Sequence, residues 1–441
     1  MGARGGGAPT PQGTREKLAA FAERLSRQRH LIAVRDGVVA SLPLVLIGSA
    51  FLLLAQPPIP GLRELVAPWS ERLLLPYRVL GGAIGLYVCF AIAKRLARSH
   101  GMDETGAPLI ALASFLVAQA PEPLAAGGLG LSLGALGPGG LFGAIALGLG
   151  SVEIQRLVAS RGWVLRLPPS VPEAIGKSFE AILPGLASVT LAWAAVHLFG
   201  LDLVGLIAGL VAPVVAVTDS LVGVWAVALV DGLFWLLGIH PVAILGAIKP
   251  IWLSMLTENM SAAAEGAPLP HIATREFFLW FVWQGGSGGT LAVALLLLRA
   301  RSEALRGVGK LGVVPSLFNV NEPILFGLPV VMNPRLALPF LLAPLLTATT
   351  TYLAMSAGFV ARPHLEVLWT LPAPVGAFLA TGGDLRAILL QMMNLAIALV
   401  VWWPFVRAWD RRQQAEVVPM PAPGDPPERS DVLPPREQAR R

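Results

Sequence analysis

Charge is scarce in this sequence: Asp, Glu, Lys and Arg make up 14% of 441 residues, while 55% are hydrophobic. A soluble domain carries about 25% charged residues because its surface must be solvated. The shortage excludes a cytosolic enzyme, a secreted disulfide scaffold and a disordered regulator. Cysteine is almost missing as well. The single thiol, Cys89, lies mid-run in YVCFAIA, so neither a disulfide framework nor a cysteine metal site is available. No metal and no cofactor are expected. Alternating apolar and polar positions are also lacking, which argues against a membrane β-barrel. What remains is an all-α polytopic membrane protein. The first 35 residues are Gly/Pro/Arg-rich and then polar, the first apolar run begins only at Gly37, and no cleavable signal peptide is evident.

A helix needs about 20 apolar residues to cross the hydrocarbon. Ten segments approach this: 37–55, 79–96, 107–120, 139–158, 182–199, 221–239, 242–256, 277–298, 336–359 and 387–406. Segment 201–217 is a further span or an interfacial helix. The net charge of +6 does not point to nucleic acid, because Lys and Arg cluster at the ends of apolar runs and signal topology. Basic residues gather before the first run (Lys17, Arg24, Arg27, Arg29, Arg35), after the second (Lys94, Arg95, Arg98), after the fourth (Arg156, Arg161, Arg166, Lys177), after the eighth (Arg299, Arg301, Arg306, Lys310) and after the tenth (Arg407, Arg411, Arg412). Stretches 121–138 and 259–274 have no Lys or Arg; Arg63, Arg72 and Arg78 are the exceptions. Both termini are therefore expected in the cytoplasm, with disordered arms at 1–20 and 411–441.

Polar and ionisable residues inside apolar segments are costly and therefore informative. The segment VPSLFNVNEPILFGLPVVMNP holds Asn319, Asn321, Glu322 and Asn333 among Pro315, Pro323, Pro329 and Pro334. Each proline removes an N–H donor. Irregular backbone at membrane depth survives only beside protein or a water-filled cavity. A re-entrant hairpin with Glu322 near its tip is expected. Asn side chains donate and accept, which suits sugar hydroxyls; the alternative for Glu322 is an interfacial carboxylate satisfied by helix N–H groups. A second polar region, 231–259, contains Asp231, His240, Lys249, Glu258 and Asn259. His240 reads equally as a packed or a chemical residue; Asp231 and Lys249 read as span-end charges, Lys249 able to snorkel, with a pair across the pocket as the alternative. The stretch WTLPAPVGAFLATGGD (369–384) forms a possible second hairpin in which Trp369 anchors the interface or stacks on a sugar ring. The run GGSGG at 285–289 reads as close helix packing, since it lacks the Lys-Ser/Thr of a nucleotide loop.

At this point the residues become recognisable. LFNVNEPILFGLPVVMNP resembles the FN-I-NEP signature of the membrane IIC subunit of the phosphoenolpyruvate-dependent sugar phosphotransferase system, in its lactose/cellobiose (diacetylchitobiose-like) branch. IAVRDGVVASLPLVLIGSAFLLL, VPEAIGKSFEAILPG, FWLLGIHP, WQGGSGGT, ATGGDLRAILLQMMN and VWWPFVRAWD follow the family's order over roughly 21–410. The resemblance implies a homodimer in the cytoplasmic membrane. Residues 21–200 would form its scaffold, 201–218 a linker or interfacial helix, and 219–410 the sugar-binding part. It implies a sugar, such as a β-linked disaccharide, phosphorylated by a phosphocysteine on a separate IIB subunit (itself served by IIA). This chain would be the membrane part of that phosphotransferase, with no IIA or IIB domain fused. Carried over, Glu322 is the acceptor of the C6 hydroxyl proton and His240 its neighbour on the sugar; Asn319, Asn321, Asn259 and Trp369 are further contacts. A buried carboxylate with a raised pKa would suit the proton-accepting role. One departure stands out: the family's GIHG is here Gly238-Ile239-His240-Pro241, which restricts His240 towards extended geometry. Rival readings are a proton-coupled secondary sugar transporter using Glu322 and Asp231, and a membrane transferase or sugar sensor.

Overall fold

The computed structural model describes residues 20, 23–24, 27–124, 128–168 and 170–416. The two expected disordered arms lie almost wholly outside the described residues; only 411–416 of the second are included, and they continue the last helix. Lipid offers no partner for backbone N–H and C=O groups, so apolar runs must pair internally as helices. Among the described residues the only strands are a two-residue ladder, Glu122–Pro123 against Leu129–Gly130. Among the described residues six helices are long and apolar enough to cross a membrane, or seven if one bent pair counts as a single span.

Helix α1 (Arg29–Ala55) starts where the Gln28 side chain accepts a hydrogen bond from the Leu31 N–H. At about 1.5 Å per residue, its 27 residues exceed the hydrocarbon thickness. It packs along α2 (Ile84–Ser99) because Gly37 presents no side chain: a Cβ there would lie 2.4 Å from Ile92 Cγ1. Farther on, α3 (Leu203–Thr218) and α4 (Leu221–Leu236) meet at a 77° bend. Ser220 produces the break, because its hydroxyl caps the new helix at the Gly223 N–H. The segment 201–217 is thus a helix joined at an angle to the next span.

The ten expected spans are not ten continuous helices. Segment 242–256 divides at a short 3₁₀ turn, Gly246–Ile248, and resumes as α5 (Lys249–Ala264). Segment 277–298 divides more deeply, into a wide turn at Phe278–Val282, a loop, and the helix Thr290–Leu297. The loop is GGSGG, in which Gly285, Gly286, Gly288 and Gly289 all have positive φ. A Cβ at Gly286 would lie 2.4 Å from Asn321 Cγ. The glycines therefore serve close approach, as expected, but of a loop to a hairpin tip rather than of helix to helix.

That hairpin consists of α6 (Glu303–Leu317) and the short α7 (Glu322–Gly327), followed by α8 (Pro334–Ser356). Ser302 caps α6, and Pro323 and Pro334 occupy first-turn positions where their missing N–H costs nothing. Helix α9 (Ala373–Ala380) and the long α10 (Leu385–Glu416) complete the chain. Asp410 near the end of α10 accepts from the N–H groups of Arg301 and Ser302, fixing the start of α6. Around the hairpin, Trp235, Ala292, Val293, Ala294, Leu297, Ile324, Leu325, Leu328, Phe340 and Trp402 belong to a separate apolar cluster.

Candidate functional site

The hairpin tip is set by two asparagines. Asn319 has φ +62°, a left-handed conformation that Asn tolerates better than most residues. Its Oδ1 accepts from the Gly285 N–H at 3.2 Å, while Nδ2 donates to the carbonyls of Trp369 (2.8 Å) and Leu371 (3.2 Å). Asn321 Nδ2 donates to the Ser287 carbonyl at 3.2 Å. These bonds fasten the tip to the glycine loop and to the stretch before α9. The next residue, Glu322, opens α7. Its carboxylate has no hydrogen-bond or ion-pair partner among the described residues, and it is exposed. The buried carboxylate expected at 322 is thereby corrected: the first side chain of this short helix faces open space.

That space is a cavity of about 450 Å³, within the range of roughly 300–1,000 Å³ usual for small-molecule sites. It brings together His240, Asn319, Asn321, Glu322 and Trp369. His240 follows Gly238, whose φ is +76°, and its ring lies 4.8 Å from that of Trp235. The Val242 N–H donates to His240 Nδ1 at 3.3 Å. With Nδ1 accepting, the neutral ring carries its proton on Nε2. Proline at 241 has no N–H, so the first donor after His240 is that of Val242. Trp369 is 47% exposed, leaving a ring face free on the cavity wall.

Several lining residues carried no functional signal in the sequence. Trp252 and Trp283 line the cavity with buried indole N–H groups that have no partner among the described residues. Trp235 Nε1 donates to Ser287 Oγ at 3.0 Å, and the Ser287 hydroxyl in turn bonds Asp231. Ser287 thus gives the glycine run a polar use. Arg275 pairs with Glu366 and, at 3.3 Å, with Glu276; Glu276 is fully buried, and its Oε2 has no partner among the described residues. An adjoining cavity of about 230 Å³ shares Lys249, Trp252, Arg275 and Trp369 and adds Glu276 and Glu366. Lys249, read from sequence as a span-end charge, lines both cavities and has no ion pair among the described residues. The adjacent Arg275 and Glu276, at the head of an apolar run, were the available signal. A larger groove of about 550 Å³ lies between α1 and α2, lined by Val39, Ala40, Phe90 and Ala91 together with the charged Asp36, Lys94, Arg95, Arg98 and Glu104.

Asn259 stands apart from the cavity. It is 0% exposed; Nδ2 donates to the carbonyls of His271 and Pro363, both at 2.8 Å, and Oδ1 accepts from the His271 N–H at 2.9 Å. Both amide hydrogens are used on backbone, so the sugar contact expected of Asn259 gives way to a structural clamp. The clamp holds His271, whose Nδ1 lies 2.9 Å from Asp219 and Nε2 2.7 Å from Glu258. Asp219 also accepts from the N–H groups of Ile272 and Ala273.

Comparison with known proteins identifies relatives along most of the chain. The family model described as "Phosphotransferase system, EIIC" matches residues 35–344. The chain is 41% identical over 431 residues to the lichenan permease IIC component of Bacillus subtilis (strain 168), covering 91% of this chain and 94% of the relative. It is 37% identical over 426 residues to the cellobiose-specific EIIC component of Geobacillus stearothermophilus, covering 91% and 94%. Its fold matches the crystal structure of the transporter ChbC, the IIC component from the N,N'-diacetylchitobiose-specific phosphotransferase system. That match has a TM-score of 0.84 at 33% identity and covers 91% of this chain and 98% of the other. The expected all-α architecture agrees with this fold.

Proposed function

The chain belongs to the phosphotransferase-system EIIC family, and from that premise we propose that it carries a β-linked disaccharide of the cellobiose type across the cytoplasmic membrane and presents its C6 hydroxyl to the phosphocysteine of a separate IIB subunit. The observation that carries this reading is the placing of Glu322, unpartnered, in one cavity with His240 and Trp369. A primary hydroxyl is a poor nucleophile until a positioned base draws its proton. Glu322 takes that proton as O6 attacks phosphorus. His240 Nε2–H donates to the sugar and fixes its orientation. Trp235 and Trp369 supply ring faces for the pyranose C–H surface. The names of the lichenan and cellobiose relatives support a β-linked substrate.

In this reading 21–200 is the scaffold of a homodimer, 219–410 the moving sugar-binding part, and both termini face the cytoplasm. The basic ends of the apolar runs support that orientation. The bend at Asp219 supports a division near the 201–218 helix. The test uses vesicles containing the full chain, labelled cellobiose and phospho-IIB. Appearance of cellobiose 6-phosphate is the expected result. Accumulation of unmodified sugar driven by a proton gradient alone overturns it in favour of a secondary transporter.

A further inference from the structure

We infer that Lys249 is a catalytic residue for the phosphoryl transfer itself, supplying the positive charge that the transferring group needs while Glu322 handles the proton. The inference rests on the function proposed above. In that step the O6–P bond forms, the S–P bond of the phosphocysteine breaks, the thiolate leaves and the O6 proton passes to Glu322. Negative charge spreads over the three remaining phosphoryl oxygens, and such transfers are accelerated mainly by cations placed to meet it.

The cations near the cavity are not equally free to do so. Arg275 is held by Glu276 and Glu366. Arg35 is held by Asp36, which also takes Arg95. Lys249 lines the same cavity as Glu322 and has no ion-pair partner among the described residues. Its electrostatic neighbours are Arg275, Arg35 and Asp36, and the last two lie near the N-terminal end of α1, which the charge bias assigns to the side where IIB docks. Lys249 is also the first residue of α5, a 16-residue helix, so the positive end of the helix dipole adds to the ammonium. An unpaired ammonium is poorly matched to a neutral sugar but well matched to a phosphoryl group.

The experiment compares wild type, Lys249→Met and Lys249→Arg, all full length. Cellobiose and cellobiose 6-phosphate affinities are measured by calorimetry, and transfer from phospho-IIB by single turnover. For Lys249→Met the expected loss in transfer rate is about 100-fold. Its affinity for cellobiose should change less than about 3-fold while affinity for cellobiose 6-phosphate falls; Arg should restore most of the rate. Cellobiose binding that weakens as much as the rate would make Lys249 a sugar contact and overturn the inference, as would an unchanged rate. Retained cellobiose binding shows that the variant is folded. If wild type itself forms no cellobiose 6-phosphate, the proposed function fails, an outcome distinct from failure in the lysine variants alone.

Discussion

Two polar clusters in the second half of the chain are built on opposite principles. In the clamp around His271, each ring nitrogen faces a carboxylate, Asp219 on one side and Glu258 on the other, and the Asn259 amide hydrogens are spent on backbone carbonyls. In the cavity, Glu322, Lys249 and the indole N–H groups of Trp252 and Trp283 have no partners among the described residues. Buried polar groups are normally satisfied, and an unpaired one costs free energy. The paired cluster therefore stabilises the fold, whereas Glu322 is exposed and Lys249 half-buried, so these two charges keep solvent where the clamp keeps partners. Both clusters come from the same kind of sequence signal, a polar residue in an apolar run. Only their bonding tells them apart.

The sharpest way to break this contrast is at Glu322. Glu322→Gln should lower transfer from phospho-IIB by about 10³-fold and leave cellobiose affinity within a few-fold, read by single turnover and calorimetry. Wild-type transfer would remove the proton-accepting role. Next in size is the clamp. Asn259→Leu strands two carbonyls and an N–H in the core and should cost about 2–4 kcal/mol of stability, measured as a drop in thermal midpoint. The protein that remains folded should bind cellobiose normally; weakened binding there would return Asn259 to the sugar site. Trp369→Ala should weaken cellobiose binding by about 1–1.5 kcal/mol, roughly tenfold in Kd, with little change in the rate of bound sugar.

The smallest effect is one of pH. Burial by itself would lower the pKa of His271, but hydrogen bonds to Asp219 and Glu258 outweigh it and raise the imidazole to about 9. A group whose folded pKa is raised stabilises fully below its unfolded value, near 6.5, and loses that contribution as pH climbs through about 9. The thermal midpoint of wild type should fall between pH 7 and 9.5. The His271→Gln midpoint should start lower and stay flatter across the window; equal slopes would dissociate the clamp from stability.

The hairpin and its carboxylate were legible because proline, asparagine and glutamate break the rules of a lipid-facing helix so plainly that a cavity had to exist. His240 and Trp369 were legible as candidates, though the positions alone left packing and chemistry equally open. Asn259 could not be sorted from sequence: an amide that serves a ligand and one that serves a carbonyl 104 residues away look identical in a single chain. Arg275 and Glu366 are 91 residues apart, so neither position announces the pair. Lys249 looked like a snorkelling terminus until the cavity walls were known.

Composition and the spacing of apolar runs were sufficient to determine that the chain is helical and membrane-embedded, because a bilayer leaves the backbone no other way to satisfy its hydrogen bonds. Local chemistry determined where that regularity fails, at four prolines and the glycines of one loop. Which polar side chains stand free and which are consumed by the fold was decided only in three dimensions. Hydrogen-bond satisfaction depends on partners that residues distant in the chain supply, and no local pattern records them.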